Sequence, residues 1–110
     1  MSDLLNQMGE RIKKRRKQMY FTQEKLAERA GVTTQTISSA EHGSKALRPE
    51  NIVKISAALE VSTDYLLLGK TSPLDQYLFI EKVSRLPSEQ RRYLEIIINS
   101  YIAAMETGGK

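Results

Sequence analysis

The sequence has no cysteine and no tryptophan, and only one histidine and three prolines. Without cysteine it forms no disulfide and no thiolate metal or redox site, and the lone His42 cannot build a metal cluster by itself. The longest strictly apolar runs fall far below the roughly 20 residues that span a bilayer. The first residues, MSDLLNQMGE, have no basic segment before an apolar run, so no secretory signal is predicted. These absences favour a reducing cytoplasm and argue against a metal, a cofactor or a membrane partner.

The positive charge is unevenly distributed along the chain. Residues 1–70 contain twelve Lys and Arg against eight Asp and Glu, whereas residues 71–110 contain five of each. The segment RIKKRRK (11–17) alone supplies six of the cations. The asymmetry predicts an anionic partner for the first part of the chain and a different role for the second.

Apolar residues recur at helical spacing throughout, and no segment alternates as a half-buried strand does. Thr22, Thr33 and Ser62 suit helix N-caps, and glycines follow the predicted helices as stop signals. We therefore predict an all-α protein with a domain of five helices over residues 1–69 and a helical hairpin over 70–110. The predicted helices cover approximately residues 4–20, 22–31, 33–43, 49–59, 62–69, 73–85 and 87–106.

The segment GVTTQTISSAEHG (31–43) is unusually polar for a helix in a compact domain. At 100° per residue, Ile37 and Ala40 fall on one narrow side, and a cluster of small polar residues occupies the other. The preceding predicted helix offers Leu26, Ala27 and Ala30 for the apolar side to pack on. Two helices joined by a short glycine-containing turn form a helix-turn-helix, whose second helix enters the DNA major groove. A thin polar face suits that groove.

The segment TQEKLAERAGVTTQTISSAEHG resembles the helix-turn-helix of the lambda-repressor-like, Xre/Cro-type regulators of phages and bacteria. The resemblance extends over residues 8–69, within a frame of five helices. The matching positions are Gln23, Leu26, Ala27, Ala30, Gly31, Val32, Ile37, Ser38, Glu41 and Gly43.

The resemblance implies roles for the polar residues. Thr34, Gln35 and Ser39 map to positions that face the bases, and a glutamine amide can bond adenine N6 and N7 together. Ordinary surface residues are the alternative for these positions. The predicted phosphate contacts are Gln23, Ser38, His42, Lys45 and Arg48.

Arg16 and Glu41 match a partly buried ion pair of the phage repressors, although Arg16 could instead belong to the solvated basic run. Lys13, Lys14 and Lys17 fit a solvated face better than direct contacts. Ala40 stands where a larger apolar residue is usual in the family, which predicts looser packing of the recognition helix. The loop after that helix is also longer than in the shortest phage repressors.

The last predicted helix carries a broad apolar face that a two-helix hairpin cannot bury alone. Its residues are Leu94, Ile97, Ile98, Tyr101, Ile102 and Met105, with further apolar residues on the preceding helix. We expect this surface to meet a second copy of the chain, because helix-turn-helix proteins bind paired half-sites as symmetric dimers. Docking on the N-terminal domain is the alternative, and similar hairpins in developmental-switch repressors meet antagonist proteins.

The predicted function is sequence-specific binding of double-stranded DNA by a dimeric transcriptional repressor, at an inverted-repeat operator. The alternative is an antitoxin-like or antagonist-bound interaction module with secondary DNA binding. Nothing in the sequence resembles a catalytic nucleophile with its base or a phosphate-binding glycine loop, so an enzyme is not expected.

Overall fold

The computed structural model describes residues 2–108, which form seven α-helices and no strand. The helices are α1 (Ser2–Gln18), α2 (Gln23–Ala30), α3 (Thr34–His42), α4 (Pro49–Leu59), α5 (Thr63–Leu68), α6 (Pro73–Ser84) and α7 (Ser88–Gly108). The predicted all-α class is confirmed, with five helices followed by two more.

Short-range capping sets most of the helix ends. The hydroxyls of Thr22, Thr33 and Ser62 accept hydrogen bonds from backbone N–H groups three residues later, at the starts of α2, α3 and α5. Gly31 and Gly43 adopt left-handed conformations that close α2 and α3. The caps predicted from the sequence are therefore confirmed.

The first helix ends earlier than predicted, at Gln18 instead of Tyr20. Tyr20 has a φ of 61°, in the left-handed region, so it cannot continue the helix. At the other end of the chain, α7 begins at Ser88, directly after Pro87. It extends to Gly108, past the predicted end at Glu106.

The core lies where α1 packs against α3 and α5, and α2 against α3 and α4. Its largest fully buried side chains are branched aliphatics, one or two from each of the first five helices: Ile12, Leu26, Ile37, Ile55, Leu59 and Leu66. Burying such a side chain contributes about 1.5–3 kcal/mol. This core positions α3 with its polar side outward.

The expected loose packing around Ala40 is not found, because Ala40 is buried and a glycine faces it. A Cβ atom on Gly9 would overlap the Ala40 carbonyl oxygen and lie 2.6 Å from that of Glu41. The backbones of α1 and α3 therefore approach closely at this point. The absence of a side chain on Gly9 lets the α3 backbone fill the space beside the small Ala40.

The structure divides into two compact units, one ending at Leu78 and the other beginning at Phe79. The division falls inside α6, beyond the 69/70 boundary predicted from the sequence. The reason is Asp75, whose carboxylate accepts hydrogen bonds from the backbone N–H and hydroxyl of both Ser62 and Ser72. These bonds attach the first turn of α6 to the start of α5.

The same contacts perturb the Asp75 carboxyl group. Partial burial opposes its ionisation, but the hydrogen bonds from Ser62 and Ser72 outweigh that effect and hold the pKa of Asp75 below its usual range. The charged form is thus the one that the native structure favours. The link between α5 and α6 therefore depends on ionised Asp75.

No helix within residues 2–108 combines the length and the apolar character that crossing a membrane requires. The same residues contain no group of three or more His, Cys, Asp or Glu side chains placed to hold a metal ion.

Candidate DNA-binding surface

The polar face of α3 is the centre of the candidate surface. Ile37, Ala40 and Glu41 are buried on the inner side of this helix. On the outer side Thr34 and Gln35 are exposed, and Ser38 and Ser39 are half-buried. The three predicted base readers, Thr34, Gln35 and Ser39, thus all keep access to solvent.

Gln35 and Ser39 are joined to each other. The Gln35 Nε2 group donates a hydrogen bond to Ser39 Oγ over 3.1 Å, across one turn of α3. The bond uses one of the two amide N–H donors and leaves the other N–H and the carbonyl oxygen available. The amide therefore has a preferred orientation on the surface of the helix.

Arg16 and Glu41 form the ion pair that the sequence predicted, and the structure adds a third member. Arg16 Nε lies 2.6 Å from Glu41 Oε2, with side-chain exposures of 11% and 3%. A second guanidinium nitrogen donates to Glu41 Oε1 over 3.2 Å, and a third donates to the Phe21 carbonyl over 2.9 Å. The pair joins α1, the α1–α2 turn and the end of α3.

Gln23, a predicted phosphate contact, is the third member. Its Nε2 group donates to Glu41 Oε1 over 3.1 Å. Sequence reasoning did not find this contact, because the two residues lie on different helices. One amide N–H of Gln23 remains for an external acceptor, so the internal bond and a phosphate bond are compatible.

The arginines of the basic run of α1 bond groups within the protein, whereas its charge alone suggested an external anionic partner. Arg11 donates to the carbonyls of Leu66 and Leu67 at the end of α5. Arg15 donates to the carbonyl of Leu59 at the end of α4, over 2.9 Å. These guanidinium groups satisfy carbonyls that lack intrahelical partners. With Arg16 also paired internally, the cations exposed on this run are Lys13, Lys14 and Lys17.

A cleft beside α3 brings further polar groups next to the predicted readers. It has a volume of about 210 Å³ and lies between α3, the loop over residues 44–48 and the first turn of α4. Lys45 and Arg48, both exposed, line it together with Gln35 and Ser39. Asn51 also lines it and was missed by sequence reasoning. Its position in the first turn after Pro49 is the signal that could have found it.

His42 ends the recognition helix in an exposed position. Its Nδ1 atom lies 2.8 Å from the Ser38 carbonyl oxygen, so this nitrogen carries the proton and donates it. The Nε2 atom is the part of the ring left for other partners. The bond holds the His42 ring against the backbone of Ser38, one turn earlier in α3.

The second compact unit carries the predicted dimer or partner surface. Leu94 is half-buried, and the other predicted residues are 40–66% exposed: Ile97, Ile98, Tyr101, Ile102 and Met105. Phe79, Ile80, Tyr93 and Ile96 are also exposed and were not among the predicted residues. Tyr93 and Ile96 lie away from the stripe of α7 that the sequence pattern singled out, and Phe79 and Ile80 lie on α6.

A cleft of about 500 Å³ opens between α6 and α7 within this unit. Its apolar lining includes Phe79, Val83, Leu94 and Ile98. None of the described residues of α6 and α7 is buried. The unit therefore leaves large apolar side chains of both helices exposed, as protein interaction surfaces do.

The five-helix unit, in which the thin polar helix α3 packs on the apolar face of α2, defines a DNA-binding helix-turn-helix protein. The chain belongs to the helix-turn-helix family HTH_3, whose model matches residues 12–66. The resemblance to the lambda-repressor-like regulators is thereby confirmed. The chain is a DNA-binding transcriptional regulator and not an enzyme.

Known relatives agree with this family. Repressor protein C2 of Salmonella phage P22 is 42% identical over 65 residues, a match that covers 59% of this chain but only 30% of that repressor. A crystal structure of the P22 repressor with a synthetic operator has a TM-score of 0.55 at 41% identity, covering 57% of this chain and 96% of that chain. The repressor RstR of the cryptic phage CTXphi in Vibrio cholerae is 28% identical over 100 residues, covering 89% of each protein.

A further solved structure is similar over a longer part of the chain. It is a complex of the SinR and SinI proteins, with a TM-score of 0.55 at 27% identity. The similarity covers 87% of this chain and 98% of that chain.

Proposed function

We propose that this protein is a dimeric repressor that binds an inverted-repeat operator and blocks transcription there. The observation that carries the proposal is the outer face of α3, where small polar side chains stand beside a cationic cleft. Such a face fits the major groove, and the flanking cations fit the phosphates on either side. The similarity to a repressor solved with its operator supports this assignment.

The residues divide into base readers and phosphate contacts. Gln35 is the main reader, because its free N–H and carbonyl oxygen can bond adenine N7 and N6. Thr34 and Ser39 face the same groove. Gln23, Ser38, His42, Lys45 and Arg48 contact phosphates on the flanking backbone. Removing one base contact costs about 1–3 kcal/mol at one base pair, whereas removing one cation weakens binding to all sequences and lowers the salt slope by about 1.

The apolar surface of α7 is the proposed dimer contact. The second unit buries none of its described residues, so an isolated copy leaves this surface in water. A symmetric pair would cover the surface and present two recognition helices to half-sites about 34 Å apart. We therefore propose two domains. Residues 1–69 bind DNA, and residues 70–110 form the contact with the second copy or the partner.

A second function rests on the same surface. The similarity to one chain of the SinR/SinI protein complex covers 87% of this chain and so extends into the second unit. An antagonist protein could therefore occupy the surface, as in an antitoxin-like module whose DNA binding is secondary.

Selection from a pool of random duplex DNA at moderate salt tests the first proposal. We expect recovery of an inverted repeat with half-site centres about one helical turn apart. Recovery of single half-sites would contradict a DNA-bound dimer. Absence of any enriched sequence would favour the interaction module.

Sedimentation of two charged variants tests the dimer contact. Ile98→Asp places a carboxylate in the apolar surface and is expected to yield monomers. Ser100→Asp adds the same charge 200° further around α7 and is expected to leave the dimer intact. Equal behaviour of the two variants would contradict the proposed surface.

A further inference from the structure

Ser39 occupies an unusual position among the polar residues of α3, because it is hydrogen-bonded to the proposed base reader. Its hydroxyl oxygen accepts the Gln35 Nε2 proton over 3.1 Å. Gln35 is exposed, and the neighbouring Ser38 hydroxyl makes no such contact with it. The bond joins residues four apart, which face each other on a helix.

The bond restricts a side chain that is otherwise free to rotate. Bidentate recognition of adenine requires the amide N–H and carbonyl oxygen of Gln35 to lie in the plane of the base, directed at N7 and N6. An unrestrained glutamine loses rotamer freedom when it forms such a pair. Because the amide group is planar, the bond from one N–H to Ser39 also restricts the direction of the other N–H and the oxygen before DNA arrives.

We propose that Ser39 is a positioning residue, which orients the Gln35 amide for adenine and makes no base contact of its own. This inference rests on the proposed function, in that it takes Gln35 as a base reader. It differs from the direct role that the family resemblance implies for Ser39. The hydroxyl determines how strictly the protein discriminates at the base pair that Gln35 reads.

The test is a double-mutant cycle on the operator recovered by selection. Wild type, Ser39→Ala, Gln35→Ala and the double variant are each titrated against that operator and against every single-base substitution of it. We expect Gln35→Ala to lose roughly 5- to 150-fold of discrimination at one base pair. Ser39→Ala should lose about 3- to 10-fold at the same base pair, the equivalent of one net hydrogen bond. In the double variant the loss of Ser39 should add nothing.

Matched variants separate positioning from a structural role. Ser39→Thr keeps the accepting oxygen and should restore discrimination, whereas Ser100→Ala removes an exposed hydroxyl on α7 and should leave discrimination at that base pair unchanged. In the free protein, the NMR signals of the Gln35 side-chain amide should shift in Ser39→Ala and not in Ser100→Ala. Thermal unfolding of all variants should stay close to that of the wild type.

The experiment distinguishes failure of the Ser39 inference from failure of the proposed function. Loss of discrimination at a different base pair in Ser39→Ala, or full additivity with Gln35→Ala, would mean that Ser39 contacts DNA itself and would overturn the inference. Unchanged discrimination in Ser39→Ala, with a clear loss in Gln35→Ala, would also overturn it. If Gln35→Ala binds every operator variant as the wild type does, the reader assignment in the proposed function is the part that fails.

Discussion

Replacing Arg16 with alanine should destabilise the DNA-binding unit more than replacing any other cation of the basic run. The guanidinium makes two hydrogen bonds to Glu41 and one to the Phe21 carbonyl, and it is largely buried. Without it, the Glu41 carboxylate, which is 3% exposed in the native structure, keeps only the bond from Gln23. An uncompensated buried charge of this kind costs about 3–5 kcal/mol.

The reverse deletion should cost less. In Glu41→Ala, Arg16 retains its bond to the Phe21 carbonyl and part of its access to water. A loss of about 1.5–3 kcal/mol is expected, the usual value for hydrogen bonds to a charged group. The double variant should lose less than the sum of the two, because neither charge is then left alone.

Urea unfolding at fixed protein concentration measures these differences, with Lys17→Ala as the matched control. Lys17 is adjacent to Arg16 but exposed, so its replacement should change the free energy of unfolding by no more than about 0.5 kcal/mol. Thermal unfolding should show Arg16→Ala lower by more than about 10 °C. A loss in Arg16→Ala no larger than in Lys17→Ala would refute the account of the buried pair.

Three other substitutions test separate features. Asp75→Asn should lower the melting temperature at pH 7. This deficit relative to the wild type should shrink as the pH falls below about 4, because a carboxyl group with a lowered native pKa stabilises the fold only while it is ionised. A deficit independent of pH would contradict this. Gly9→Ala should destabilise by about 1–3 kcal/mol, since its Cβ meets the α3 backbone, whereas Gly108→Ala enters open space and should not. Tyr20→Gly should raise the free energy of unfolding by about 1 kcal/mol, because an exposed tyrosine at a φ of 61° is strained. Tyr20→Ala keeps the backbone strain and should not raise the free energy of unfolding.

The features of the fold that could be predicted depend on residues close together in the chain. The caps at Thr22, Thr33 and Ser62 act over three residues, so local sequence patterns contain them. The helical period likewise separated the buried Ile37 from the exposed Gln35. The early end of α1 was missed although it is local, because the strained Tyr20 occupies a conformation that sequence patterns associate with glycine.

The roles of the charged and polar residues were decided by tertiary structure. Arg11 and Arg15 look like part of a basic run, yet they bond carbonyls 55 and 44 residues away in the chain. Gln23 likewise bonds Glu41 on α3, and Asp75 bonds Ser62 at the start of α5. The sequence by itself determined which segments are helical and which side of each helix is apolar, because those properties follow from neighbouring residues. Only the packing of the helices decided which cations bond groups inside the protein and which stay exposed to DNA. The physical reason is that a charge interacts with whatever group the fold brings within a few ångströms of it.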